Sequence, residues 1–141
     1  MSRPCAIRAC VPNYISKQRK SPLIDVNRVT SVKSLVEVGQ TQICTINTRR
    51  CSYRNLRLPL LGDFQAHNAR VAIVALEQLS AKVFKISPIS IRKGFRGLRR
   101  LTGIRGRFES LQSDPMIILD VGHNPDGISA VVAELQRHRY R

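Results

Sequence analysis

Apolar residues recur along this chain with two different periods, and the periods predict its elements. Across residues 23–38, Val26, Val29, Val32, Leu35 and Val36 fall at three- and four-residue steps, which predicts an amphipathic helix stopped at Gly39. Residues 43–48 and 53–60 alternate instead, with Leu56 and Leu58 flanking Arg57. That predicts two short strands joined by a basic turn at 49–52. Gly62 interrupts the alternation, and Asp63 can then cap a helix running to about Ser80, with Ala72, Ala75, Leu76 and Leu79 on one face. Ser87-Pro88 marks the next helix start, with Ile91, Phe95 and Leu98 as its buried stripe. Residues 115–121 stay apolar until Asp120 and predict a fully buried strand. After a loop at 122–125, Ile128, Val131, Val132 and Leu135 carry a last helix. Before residue 21, Pro4 and Pro12 predict irregular chain.

Strands and helices in this order predict an α/β fold with an open question at its end. A buried strand needs neighbours to pair its backbone, and the pattern offers none for 116–121. The expectation is that another chain, or a longer parent, completes that sheet. No internal repeat or low-complexity tract is visible.

Composition narrows the classes. With 141 residues there is room for one domain or pieces of two, and 43% hydrophobic residues with a mean hydropathy of −0.16 exclude wholesale disorder. No apolar run approaches the ~18 residues of a membrane span. The net charge is +15, and eighteen of the 24 bases are arginine, which calls for a polyanionic partner or an anionic ligand. A nucleic-acid binder and a phosphate-handling enzyme both satisfy that. Cys5, Cys10, Cys44 and Cys51 form no C-x-x-C pair and match no common zinc spacing, so free thiols in a reducing, cytoplasmic compartment are expected. Residues 1–20 lack the apolar core of a secretory signal; being basic and acid-free, they leave a transit peptide as a minor alternative.

Three short constellations carry chemistry. Asp120 and Gly122-His123-Asn124-Pro125 lie at the carboxyl end of a strand and the start of a helix, where open α/β sheets bind ligands and free N–H groups meet anions. The plain alternative is a loop in which Asp120 caps a helix and His123 is solvated. Gly103-Ile104-Arg105-Gly106-Arg107-Phe108-Glu109 sets Arg107 between a glycine and an aromatic, able to present its planar fork to a phosphate. Most of the seven bases between Arg92 and Arg107 are better read as a solvated basic face. In Leu61-Gly62-Asp63-Phe64-Gln65-Ala66-His67-Asn68, Gln65 and Asn68 sit three apart at a helix start and share a face. An amide there can match both donor and acceptor on a purine edge, though surface amides are the plainer reading.

In succession the three are more specific. Leu-Leu-Gly-Asp-Phe-Gln-x-x-Asn, then Thr-Gly-x-x-Gly-Arg-Phe-Glu, then Leu-Asp-Val-Gly-His-Asn-Pro-Asp-Gly resembles the folylpolyglutamate synthase/dihydrofolate synthase family of the Mur-ligase superfamily. The resemblance is strong over residues 58–135 and weaker over 11–39, where Pro12-x-x-Ile15-Ser16 looks like a family segment followed by a helix. Phe64 departs from the family, which commonly has His there. The resemblance implies the end of a Mur-ligase-like central, ATP-binding domain over residues 1–103. It implies the first strand–helix unit of a Rossmann-like C-terminal domain over 104–141. It further implies an ATP-dependent ligase in which MgATP phosphorylates the carboxylate of dihydropteroate or a folate and the amine of glutamate attacks the acyl phosphate. Asn68, with Gln65, then resembles the adenine side of the ATP site, and Arg107 the phosphate contact. Asp120 resembles a nucleotide-side contact, and His123 with Asn124 the glutamate side; Arg107, Asp120 and His123 are the catalytic candidates. The parent is expected to be a cytoplasmic monomer.

Two things are missing. No G-x-x-x-x-G-K-[ST] occurs, and nothing before residue 12 matches the family's Mg2+ ligands or modified lysine. The chain by itself is therefore expected to be inactive. The competing reading is a small basic nucleic-acid-binding protein using residues 92–107. It accounts for the charge but leaves the Asp120–Asn124 motif unexplained.

Overall fold

The computed structural model describes residues 7–138. A three-stranded antiparallel sheet in the order β1-β2-β3 is formed by Thr30–Val38, Thr41–Thr48 and Ser52–Leu58. Inward from it point Cys44 and Ile46 of β2 and Tyr53, Leu56 and Leu58 of β3, all almost fully buried. Helices α1 (Ile7–Gln18) and α2 (Val26–Val29) precede the sheet. Helix α3 (Asp63–Lys82) follows it and contributes Ala66, Ala69 and Ile73 to the same core. Helix α4 (Pro88–Arg96) adds Ile91, α5 (Leu98–Thr102) follows it, and a hairpin of β4 (Glu109–Ser113) and β5 (Met116–Leu119) leads into α6 (Pro125–His138).

Several elements differ from the sequence pattern, each for a physical reason. Residues 30–38 form a strand, not the expected helix. A register shift between Lys33 and Val36 turns the inward face from Val32 to Leu35, and both pack against the core. A bulge thus converts period two into a three-residue step that reads as a helix. Helix α1 keeps Pro12 inside it, giving up that residue's own backbone N–H bond. Pro4, Cys5 and the side chain of Cys10 lie outside the described residues. Cys44 and Cys51 are free, and burial pushes the Cys44 thiol up to about 11.

Helix α3 buries Ala66, Ala69, Ile73 and Val74; of the expected Ala72, Ala75, Leu76 and Leu79, Leu76 packs half-buried against the core and the other three are exposed. The reason is that the sheet covers one side only. Ala72 and Leu76 instead face an open apolar groove of about 420 Å³, shared with Ile86, Phe95 and Leu98. Asp63 does not cap α3; Gly62 precedes it without a side-chain cap bond. Ser87 does cap α4, its hydroxyl accepting from Ser90 N–H.

The pattern predicts a fully buried, unpaired strand at 116–121. It is neither: β5 pairs antiparallel with β4, and Met116, Ile117 and Leu119 are each more than 40% exposed. Residues 109–113 carry too short and polar a pattern (Glu-Ser-Leu-Gln-Ser) to announce a strand. In α6, likewise, Ile128 and Val132 are exposed while Val131 and Leu135 are half-buried beside the buried Glu134, which accepts from the Asp63 N–H. Among the described residues, no helix is long and apolar enough to cross a membrane.

Candidate functional site

The connection from β3 into α3 turns on Gly62, whose φ of +99° lies in the left-handed region. A Cβ there would come within 2.6 Å of the Phe64 ring, so a side chain at 62 is excluded twice over. The turn brings the first turns of α3, with Phe64, Gln65 and Asn68, opposite residues 106–124. Phe64 meets Phe108 edge-on, ring centroids 6.4 Å apart at 83°, and the contact joins the two walls. An aromatic at 64 therefore has a packing partner.

Between these walls lies a cleft of about 360 Å³. Gln65, Asn68, Arg107, Asp120, His123 and Asn124 all line it. Gln65 is buried, and its Oε1 accepts from Asn68 Nδ2 at 3.3 Å, which orients the two amides against each other. A more apolar cavity of about 320 Å³ shares Gln65, Asn68 and Arg107 and is walled by Leu58, Leu60, Phe95 and Leu98. Arg107 is exposed where the two spaces meet.

The loop geometry refines what each residue can do. Asp120 Oδ2 accepts from Phe108 N–H at 2.8 Å and Oδ1 from Gly122 N–H at 2.6 Å. Its carboxylate thus clamps the Arg107–Phe108 segment to the start of the Gly122 loop. Asn124 Oδ1 accepts from Gly127 N–H at 2.7 Å, an N-cap bond of α6 that leaves its NH2 for a ligand. His123 Nδ1 lies 3.2 Å from the Val121 carbonyl. A proton on Nδ1 makes that contact a hydrogen bond and leaves Nε2 for other partners.

Glu109, the last residue of the Gly103–Glu109 motif, fixes the loop that carries Arg107. Its Oε2 accepts from Gly106 N–H at 2.9 Å, and its Oε1 lies 2.7 Å from Arg105 and 3.1 Å from Arg99. The Gly106 N–H first, then Arg105, hold its carboxyl below the usual carboxylate range. A lowered folded-state pKa stabilises the fold above the ordinary value of 4.5, and that contribution is lost as pH falls through the lowered value. Urea melts between about pH 6 and pH 3 are expected to show wild type losing more stability than Glu109→Gln. Parallel pH profiles would contradict this.

The basic segment is partly committed to the fold. Arg92 donates to the Arg54 carbonyl and lies over the Tyr53 ring, and Arg99 donates to the Pro59 carbonyl at 2.6 Å. Arg92 fills part of the open edge of β3 and Arg99 holds the residue that follows the strand, which lends the nucleic-acid reading less free charge than the sequence suggests. Among the described residues, no group of three His, Cys, Asp or Glu side chains is placed to hold a metal.

No protein-family model matches the chain. It is 30% identical over 84 residues to folylpolyglutamate synthase of Lacticaseibacillus casei, covering 59% of the chain and 19% of that relative. Against UDP-N-acetylmuramoyl-L-alanyl-D-glutamate–2,6-diaminopimelate ligase of Zymomonas mobilis it is 30% identical over 128 residues, 86% of the chain and 24% of the relative. The solved folylpolyglutamate synthase–AMPPCP–folate complex superposes with a TM-score of 0.81 at 26% identity, over 92% of this chain and 31% of that one. The chain therefore spans less than a quarter of these two relatives and about a third of the solved structure.

Proposed function

We infer that this chain, which belongs by sequence and fold to the folylpolyglutamate synthase/dihydrofolate synthase family of the Mur-ligase superfamily, corresponds to the nucleotide-and-glutamate cleft of an ATP-dependent ligase. The family is enzymatic. The observation that carries the reading is the single cleft that Gln65 and Asn68 share with Arg107, Asp120, His123 and Asn124. The division we propose falls at residues 103/104, where Gly103 ends α5 in the left-handed conformation. Residues 1–103 then belong to the central domain and 104–141 to the C-terminal one.

In this reading the reaction joins L-glutamate to dihydropteroate or a folate. A substrate carboxylate takes the γ-phosphoryl group of ATP, releasing ADP, and the glutamate amine then displaces phosphate from the acyl phosphate to give an amide. Gln65 and Asn68 supply the donor–acceptor edge for adenine beside the apolar cavity. Arg107, exposed at the junction of both spaces, offers its fork to phosphate oxygens where charge develops. Asp120 acts through the loop it clamps. His123, its Nδ1 3.2 Å from the Val121 carbonyl, presents its ring to a glutamate carboxylate, with the Asn124 NH2 beside it. Among the described residues no three His, Cys, Asp or Glu side chains converge, and none is given the role of a Mg2+ ligand. A cytoplasmic, monomeric parent completes the proposal.

Titrating the chain with AMPPCP tests the nucleotide half: binding is expected, and Asn68→Ala and Arg107→Ala are each expected to weaken it about tenfold. Wild-type affinity in both variants would overturn the assignment. With MgATP, glutamate and dihydropteroate, no glutamate-dependent ADP release is expected from this chain, because the sequence contains no phosphate-cradling G-x-x-x-x-G-K-[ST] loop.

A further inference from the structure

Helix α6 meets the sheet and α3 through two charged side chains. Glu134 interrupts the apolar stripe of α6 and is only 4% exposed. Its Oε2 accepts from the Asp63 N–H at 3.1 Å. That N–H opens α3, whose own preceding residue, Gly62, supplies no side-chain cap. A carboxylate far along the chain thus fills the N-terminal cap of α3, where the helix dipole favours negative charge. Arg137 donates to Glu134 Oε1 and, at 2.7 Å, to Glu37 Oε1 on β1, and lies 3.8 Å from Asp63 Oδ1. Gln40 adds a tie on the same side, its Nε2 donating to the Ser110 carbonyl at 2.8 Å.

The consequence lies at the same end of α3 and the opposite end of α6. The first two turns of α3 carry Gln65 and Asn68, and the first turn of α6 follows His123 and Asn124. We propose that Glu134 and Arg137 are positioning residues that, with Glu37, form a latch holding α6 against the start of α3 and so fixing the spacing of the two cleft walls. Removing Arg137 strands a buried carboxylate, which is costlier than losing a surface pair. Lysine at 137 keeps the charge but cannot bridge Glu134 and Glu37 with one planar fork.

Amide hydrogen exchange on the 141-residue chain tests the latch without any ligand. Arg137→Ala and Glu134→Ala are expected to speed exchange at the Asp63 amide and through α6 by about ten- to a hundredfold. Arg137→Lys should fall in between, while the core amides of Cys44, Ile46 and Leu56 keep their wild-type rates. No change at Asp63, or equal acceleration throughout the core, overturns the latch. The link to the cleft rests on the proposed nucleotide site and is read by AMPPCP titration of the same variants. Weaker binding that Arg137→Lys partly restores supports it; unchanged affinity beside local opening overturns it. A wild-type chain that fails to bind AMPPCP defeats the nucleotide site, and the exchange rates still decide the latch.

Discussion

Phe108→Ala is expected to lower the stability of the chain by about 3–5 kcal/mol, the usual cost of truncating a fully buried aromatic. Phe108 is 1% exposed and packs edge-on against Phe64, so its ring is a core element shared by α3 and the β4 side of the cleft. Its φ of 48° lies in the left-handed region, but alanine meets the same backbone penalty, and the N–H bond to Asp120 survives the substitution. The whole loss is therefore packing. A domain of this size has about 5–15 kcal/mol in total, so the change removes a large fraction of it. A fall in Tm of roughly 10 °C or more is expected by circular dichroism. Phe108→Leu, which refills part of the space, should lose less. A Tm within about 3 °C of wild type for the alanine variant would show that the Phe64–Phe108 contact does not hold the two walls together. Partial opening should also favour aggregation, since Leu119, Val121, Ile128 and Val132 are already 41–52% exposed on β5, its following loop and α6.

What the sequence made legible follows from how locally each feature is encoded. Strands β2 and β3 announce themselves because Cys44, Ile46, Leu56 and Leu58 keep the strand alternation over most of their length. Ser87 and Pro88 announce α4 because capping is decided within three residues. Strand β1 misleads because its bulge lies in pairing with β2, which no local window contains. Strand β4 is silent because its partner, not its own composition, makes it a strand. Three motifs name Gln65, Asn68, Arg107, Asp120, His123 and Asn124 one segment at a time. That they line one cleft depends on Gly62 and on the Phe64–Phe108 contact, which the pattern does not rank above its neighbours. Glu134 left one trace, an acid among the apolar positions of α6; its partner, the Asp63 N–H, lies 71 residues away and left none.

In the ligase proposed above, variants at Arg107, Asp120 and His123 are expected to separate into three behaviours. Arg107→Ala should weaken ATP use and lower turnover together, because an exposed guanidinium at the junction of both cavities contributes charge and little else. Lysine there should rescue only in part, keeping the charge but losing the bidentate fork. His123→Ala should chiefly raise the glutamate requirement, since His123 is exposed and its ring contact is a local one, to the Val121 carbonyl two residues away. Each loss of one charge-assisted contact is worth about 1.5–3 kcal/mol, or roughly ten- to a hundredfold in apparent affinity or rate. Asp120 differs from both. Its two oxygens hold the N–H groups of Phe108 and Gly122, so Asp120→Ala removes two charge-assisted bonds at once and releases the segment bearing Arg107 as well as the loop bearing His123. Both substrates should then suffer, by about a hundredfold or more, with a loss of thermal stability that the other two variants lack. Asp120→Asn, retaining one acceptor oxygen, should lie between. Apparent affinities for ATP and glutamate, measured beside Tm in all four alanine and asparagine variants, separate these roles. Equal, small effects on both substrates at Arg107 and His123 would make the cleft a structural seam and overturn the assignment.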